Sequence, residues 1–263
     1  MSIEALSDKA FLVITGASRG IGRQIVITFG SLLQEGSHIL LLARNLNGLK
    51  EVAKNIPSKV TVHTVSINLG EATKTDFEEI ILRCLSGTTR DAFDRVVVVH
   101  NVGTSGNLTK FVNEMVDIDE WKQFYTLNLF LPAILNAVIM NLFGNSTDDI
   151  KKVVINITSV FAIQANVACG YYCSVKAARE MYFKVFALEN PDVNILSYSP
   201  GHVDTDLLQT VCKTIVNSET KKALEHLYET NTILSTEQTV NRLVKILKEH
   251  KYKAGDHVDY YDN

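Results

Sequence analysis

Proline is scarce in this chain, four in 263 residues, and no Gly/Ser-rich or otherwise biased stretch interrupts it. With no segment of linker composition, residues 1–263 read as a single domain. Cysteine is equally sparse. Cys84, Cys169, Cys173 and Cys212 form no CxxC pair, and no histidine stands at zinc-finger spacing from them. That pattern excludes a disulfide scaffold and a zinc module, gives no metal site to expect, and points to a reducing compartment. The net charge is only -3, and Lys and Arg are scattered apart from pairs such as Lys151-Lys152 and Lys221-Lys222. A basic field for nucleic acid or anionic lipid is therefore absent. Met1 to Ala10 carries two acids and no basic n-region, so no secretory signal is expected. No apolar run reads as reaching the ~20 residues needed to cross a bilayer. A cytosolic protein is the expectation.

What the chain does have is a rhythm of apolar runs. Phe11–Ile14, Ile39–Leu42, Val60–Val65, Arg95–Val99, Val153–Ile157 and Val193–Tyr198 read as strands. They are near-continuous rather than alternating, which suits strands covered on both faces. Helical stretches separate them: one from the glycine-rich turn through Leu33, then Leu46–Asn55, Lys74–Leu85, Ile118–Phe143 and Tyr171–Glu189. Strand–helix alternation predicts a single-domain α/β fold, a Rossmann-type doubly wound parallel sheet with helices on both faces. Residues 206–234 break the rhythm and read as a helical insertion on the substrate side.

Between the first strand and first helix stands Thr15-Gly16-Ala17-Ser18-Arg19-Gly20-Ile21-Gly22. Glycines there allow a tight turn and bring backbone amides to a pyrophosphate at a helix N-terminus. The second strand ends Leu42-Ala43-Arg44-Asn45, without the acid that holds a ribose 2′-hydroxyl in many NAD sites. Arg44, helped by Arg19, suits a 2′-phosphate instead, because a guanidinium grips phosphate through two parallel bonds. NADPH is the predicted cofactor.

Tyr172 and Lys176 are four residues apart at the start of a helix and share one face. An ammonium beside a phenol is expected to lower its pKa and ready it for proton exchange with a carbonyl oxygen. Tyr171 has Val175 at the same offset, so Tyr172 is the candidate. Ser159 follows the fifth strand at its carboxyl end, where groups gather in open α/β sheets.

The glycine run, Asn101 with Gly103, Asn128, Ser159, Tyr172, Lys176 and Pro200-Gly201 fall in the order and spacing of the short-chain dehydrogenase/reductase family. The chain resembles that family over nearly its whole length. The resemblance implies that Ser159 polarises the substrate oxygen, Tyr172 donates the proton, Lys176 holds the nicotinamide ribose and Asn128 supports Lys176 through a water. It implies further cofactor contacts from Asn45, Asn68, Leu69, Asn101, Gly103 and the run Val203-Asp204-Thr205-Asp206-Leu207-Leu208, and substrate contacts from Val160 and Gly201. A homodimer through the helices at 118–143 and 171–189 is implied as well.

The tail Gly255-Asp256-His257-Val258-Asp259-Tyr260-Tyr261-Asp262 is similar to that of pterin-reducing members of the family. Residues 254–263 then form a substrate-anchoring tail, with Asp259 on the pterin. That points to reduction of pterin side-chain ketones, as in 6-pyruvoyl-tetrahydropterin and sepiapterin, during tetrahydrobiopterin synthesis. The alternatives are an NADPH reductase of other dicarbonyls or quinones, and a non-catalytic NADP(H)-binding redox sensor. The usual Asn-Asn-Ala-Gly after the fourth strand is His100-Asn101-Val102-Gly103 here, so Val102 is expected to add bulk beside the adenosine half and His100 to be structural.

Overall fold

The computed structural model describes residues 4–144 and 150–262. Met1–Ile3 of the N-terminal stretch and Asn263 of the tail lie outside these. The six apolar runs form strands β1 (Ala10–Thr15), β2 (His38–Ala43), β3 (Thr61–Ser66), β4 (Arg95–His100), β5 (Lys151–Ile157) and β6 (Val193–Ser199). A strand not foreseen from the sequence, β7 (Asp256–Asp259), adds to β6 with Ser199 opposite Asp259. Among the described residues the sheet is wholly parallel, in the order β3-β2-β1-β4-β5-β6-β7. The order reverses between β1 and β4, and a crevice opens at the carboxyl ends of strands at such a point.

The helices are α1 (Gly20–Leu32), α2 (Leu46–Ala53), α3 (Lys74–Cys84), α4 (Ile118–Tyr125), α5 (Leu131–Gly144), α6 (Gly170–Glu189), α7 (Asp206–Thr214), α8 (Ser218–Glu229) and α9 (Thr236–Glu249). Successive β1 residues serve opposite layers. Leu12 and Ile14 pack with Ile25, Val26 and Phe29 of α1 and Leu243 of α9. Phe11 and Val13 pack with Phe77 and Ile81 of α3 and Leu135 and Ile139 of α5. Burial on both faces explains the unbroken apolar runs. Beyond β6, α7 and α8 make an excursion closed by a bridge between Val203 and Leu234.

One expectation needs correction. Ile118–Gly144 is a 27-residue helical run long and apolar enough, by length and composition, to cross a membrane. In this fold it lies against the sheet, with Leu131, Leu135, Val138, Ile139 and Phe143 buried. It is also not one uniform helix. A π turn at Thr126–Phe130 separates α4 from α5 and turns Asn128 inward.

Three imidazoles are packed where charging is costly. The His38 and His63 rings meet across β2 and β3 at 3.2 Å between nitrogens. His100 is fully buried against Phe183 and Asn136. Burial is the largest cause of a lowered pKa in each. The charge of Lys9 adds to it at His38, His38 adds at His63, and Arg179 takes His100 down to about 3. Lowered folded values mean that the unfolded chain binds more protons below the ordinary value of 6.5. Stability from these groups is therefore complete above 6.5 and falls as pH drops toward the His100 value. Within that window His100 alone contributes a slope of about 1.4 kcal/mol per pH unit. Urea midpoints compared at about pH 7.5 and about pH 5 should fall, and a steady midpoint contradicts this account.

Candidate active site

The glycine turn follows β1, Asn101 follows β4, Ser159 follows β5 and Pro200 follows β6, while Asp259 ends β7. All therefore stand at one edge of the sheet. Gly16 and Gly20 take φ of +67° and +55°, where an L side chain is strained. A Cβ on Gly22 would overlap the Gly16 carbonyl and stand 2.5 Å from Asn101 Nδ2. Asn101 Nδ2 donates to the Thr15 and Gly16 carbonyls at 3.0 and 3.2 Å. The Asn101 and Val102 amides donate to Thr15 Oγ1, locking this loop to the turn. No side chain caps α1 among the described residues. Its first amides thus keep their capacity for an anion, and the turn fits a dinucleotide pyrophosphate.

The other cofactor candidates divide. Arg44 lies exposed just past β2 and makes no ion pair among the described residues. Arg19, expected to help it, instead pairs with Asp206 at 2.7 Å; α7 starts opposite the glycine turn, and the carboxylate is the nearer partner. Both side chains are well exposed, so this pair contributes at most about 1 kcal/mol. The Ala17 and Leu69 side chains are buried in the core layers, leaving only their backbones to face a ligand. Ile21 packs on the same core, and Asn45 caps α2 by accepting from the Gly48 amide at 3.0 Å. Asn68 accepts from Gly70 N. Thr205 caps α7 and stands 3.5 Å from a Cβ placed on Gly20, so the 203–208 segment borders the glycine turn. There Val203 is buried, Leu207 is exposed, and Asp204 accepts from Tyr228 and Gln209. Val102 packs partly into the α3/α5 layer, and its carbonyl accepts from Arg179 at 3.1 Å.

Ser159 Oγ caps a short turn that begins with Val160, accepting from Phe161 N at 3.2 Å. Tyr172 and Lys176 occupy the first two turns of α6, and Lys176 Nζ lies 5.5 Å from the Tyr172 ring centroid. The expected lowering of the Tyr172 pKa is not found. Burial, the largest cause, raises it, while a hydrogen bond with Ser159 and the Arg179 charge pull the other way. Lys176, whose Nζ donates to the Ile157 carbonyl at 2.9 Å, does not offset that rise. Burial and then Arg179 hold its own pKa well below the ordinary range, with Glu180 opposing them. Asn128 holds the Thr104 amide at 3.0 Å and donates to Phe124 O at 2.8 Å. Its carbonyl accepts from Arg179 at 3.3 Å. Tyr171 is structural, its ring tilted against Trp121 at 4.3 Å and its hydroxyl donating to Glu120 at 3.0 Å.

Two residues were missed in sequence. Arg179 is 1% exposed and donates to the carbonyls of His100, Val102 and Asn128, joining the loop after β4 to the π turn. Glu180, 2% exposed, accepts from Thr158 Oγ1 at 3.0 Å and meets His257 Nδ1 of β7 at 2.8 Å. Burial works to raise its pKa, but His257, Lys184 and Thr158 hold it below the ordinary value. The available signal was position: both charges fall three and four residues after Lys176, on the same helix face.

The tail is docked. Tyr260 N donates to Ser199 O at 2.8 Å, and Tyr260 and Tyr261 pack over Gly201, whose φ is +74°. Asp259 Oδ1 accepts from Tyr261 N at 3.0 Å, and the carboxylate acts on His202, which burial otherwise lowers.

The short chain dehydrogenase family model matches residues 10–215. Sepiapterin reductase of Bos taurus is 31% identical over 97% of this chain and 95% of its own length. A benzil reductase of Bacillus subtilis that forms (S)-benzoin is 29% identical over 90% and 93%. Among solved structures, L-sorbose reductase from Gluconobacter frateurii, complexed with NADPH and L-sorbose, superposes with a TM-score of 0.77 at 22% identity, covering 98% of this chain and 97% of that one.

Proposed function

Because the chain belongs to the short chain dehydrogenase family, we propose that it is an NADPH-dependent carbonyl reductase whose substrate is a pterin with side-chain ketones. The observation that carries the pterin reading is the docked tail. It brings Asp259 to the sheet edge that holds Ser159, beside the turn after β6. The similarity to a sepiapterin reductase supports it. The bound nicotinamide supplies the hydride. The α1 amides and glycine turn bind the pyrophosphate, Arg44 the 2′-phosphate and Lys176 the nicotinamide ribose. Ser159 orients the carbonyl oxygen, and Tyr172 gives it a proton. The phenolate left behind is favoured by the same Ser159 bond and Arg179 charge that pull its pKa down.

Asp259 has one oxygen engaged by a backbone N–H, and a carboxylate can accept several more bonds, which suits the amino and N–H donors of a pterin ring. Asp259→Asn or Asp259→Ala should lower kcat/KM for sepiapterin by about 1–3 kcal/mol and barely alter reduction of a small diketone. Parallel kinetics decide. Equal losses on both substrates, or none on either, remove the pterin assignment.

The benzil reductase relative supports a second reading, a reductase of diketones without a pterin ring. Arg44→Ala should weaken NADPH roughly ten- to hundredfold and NADH little, since a charge-assisted bond is worth about 1.5–3 kcal/mol. Fluorescence titration with both cofactors checks this, and equal weakening makes Arg44 structural. The proposed partner is a second copy of the chain, because α6 leaves Met181, Val185 and Leu188 exposed, as the segment at 130–134 does Phe130 and Ile134. Free thiols at all four cysteines suit the cytosol proposed as its compartment.

A further inference from the structure

Several parts of the site converge on the Glu180 carboxylate. From the residue just past β5 comes Thr158, which precedes Ser159; from β7 comes His257, two residues before Asp259. From α6 itself comes Lys184 at 3.1 Å, and one turn back stands Lys176, on which the Glu180 charge acts. The Glu180 and His257 side chains are 3% and 10% exposed, so this is an interior junction. A buried carboxylate is tolerated only where bonds and charges offset its lost hydration. Here its partners belong to the turn that carries Ser159, the helix that carries Tyr172 and the strand that carries Asp259.

We propose that Glu180 is a positioning residue for the reaction proposed above, on which this inference rests. Through Thr158 and His257 its carboxylate fixes the Ser159 turn and the Asp259 tail relative to each other. Lys176 and Arg179 bond to carbonyls among the described residues, and one turn after Lys176 the Glu180 charge opposes the burial and the Arg179 charge that hold the Lys176 pKa low. The side chain acts through its neighbours and takes no part in the proton transfer itself.

The test uses the full chain with NADPH. In Glu180→Gln the alkaline limb of the kcat profile for a small diketone should move about one pH unit lower, since Lys176 loses the charge that opposes the lowering of its pKa. Glu180→Asp should restore most of that shift, which a merely structural role would not do. Hydrogen exchange at the β7 amides should quicken at least about tenfold in Glu180→Gln, because the His257 anchor is lost. A folded Glu180→Gln enzyme with the wild-type limb, or with wild-type exchange at β7, overturns the proposal. If that variant does not fold, His257→Gln leaves the carboxylate in place. Its β7 exchange should still quicken, and wild-type protection there overturns the proposal equally. The exchange arm needs no substrate. A wild-type protein that reduces neither sepiapterin nor diketone therefore counts against the carbonyl-reductase reading, while β7 judges Glu180 separately.

Discussion

Tyr172→Phe should lose about 10²–10⁴-fold in turnover while binding NADPH almost as the parent does. The phenol is the group with an O–H beside Ser159, and the substitution removes that proton donor alone. Phenylalanine keeps the ring against Phe161 at the 6.4 Å contact, so the pocket holds its shape. The elevated pKa sharpens the expectation: at neutral pH Tyr172 is protonated and ready to donate. Single-turnover NADPH oxidation and cofactor titration separate chemistry from binding. Turnover within a factor of about two of the parent would sink the assignment, and a matching loss of cofactor affinity would move Tyr172 from catalysis to cofactor support.

Arg179→Met is expected to produce the largest loss of stability, about 3–5 kcal/mol. Exchanging a buried charge for an apolar side chain is often neutral when its partner goes too. Here the partners are the backbone carbonyls of His100, Val102 and Asn128, which no substitution removes. Each would stay buried without its donor, and an unsatisfied buried acceptor costs about 1–3 kcal/mol. Urea unfolding measures the change. A midpoint near that of the parent would show that these carbonyls find other donors and that the guanidinium is dispensable.

Five of the six strands read from sequence were legible because each buries both faces and so reads as a solid apolar run, Val96 to Val99 of β4 most plainly; β3 is a half-exposed edge strand carried by its spaced Val62 and Val65. β7 was not, since Asp256-His257-Val258-Asp259 is short and largely polar, and only pairing with β6 makes it a strand. α9 went unread although its signs were present: Ser235 and Gln238 form a capping box, and Val240, Leu243, Ile246 and Leu247 repeat at helical spacing. The break at the π turn leaves no mark in the apolar pattern of 118–143. Tyr172, Lys176 and Ser159 could be found because their spacing follows from one helix and one strand end. Arg179 and Glu180 look in sequence like solvated helix residues, and only the β5 and β7 contacts reveal otherwise.

β7 has a bearing on how the chain reaches its folded state. It joins β6 across residues 200–255, so its pairing closes the longest connection between consecutive strands of the sheet. Loop closure over such a span comes at an entropic disadvantage, and contacts so far apart in sequence form late. Until then the Leu196–Ser199 backbone presents an open row of amides and carbonyls, a template on which another chain could pair. Once seated, β7 replaces that apolar edge with one of only four residues carrying Asp256 and Asp259, whose charges repel a further strand. The strand that ends on Asp259 thus also closes an edge on which the folded sheet could otherwise be extended.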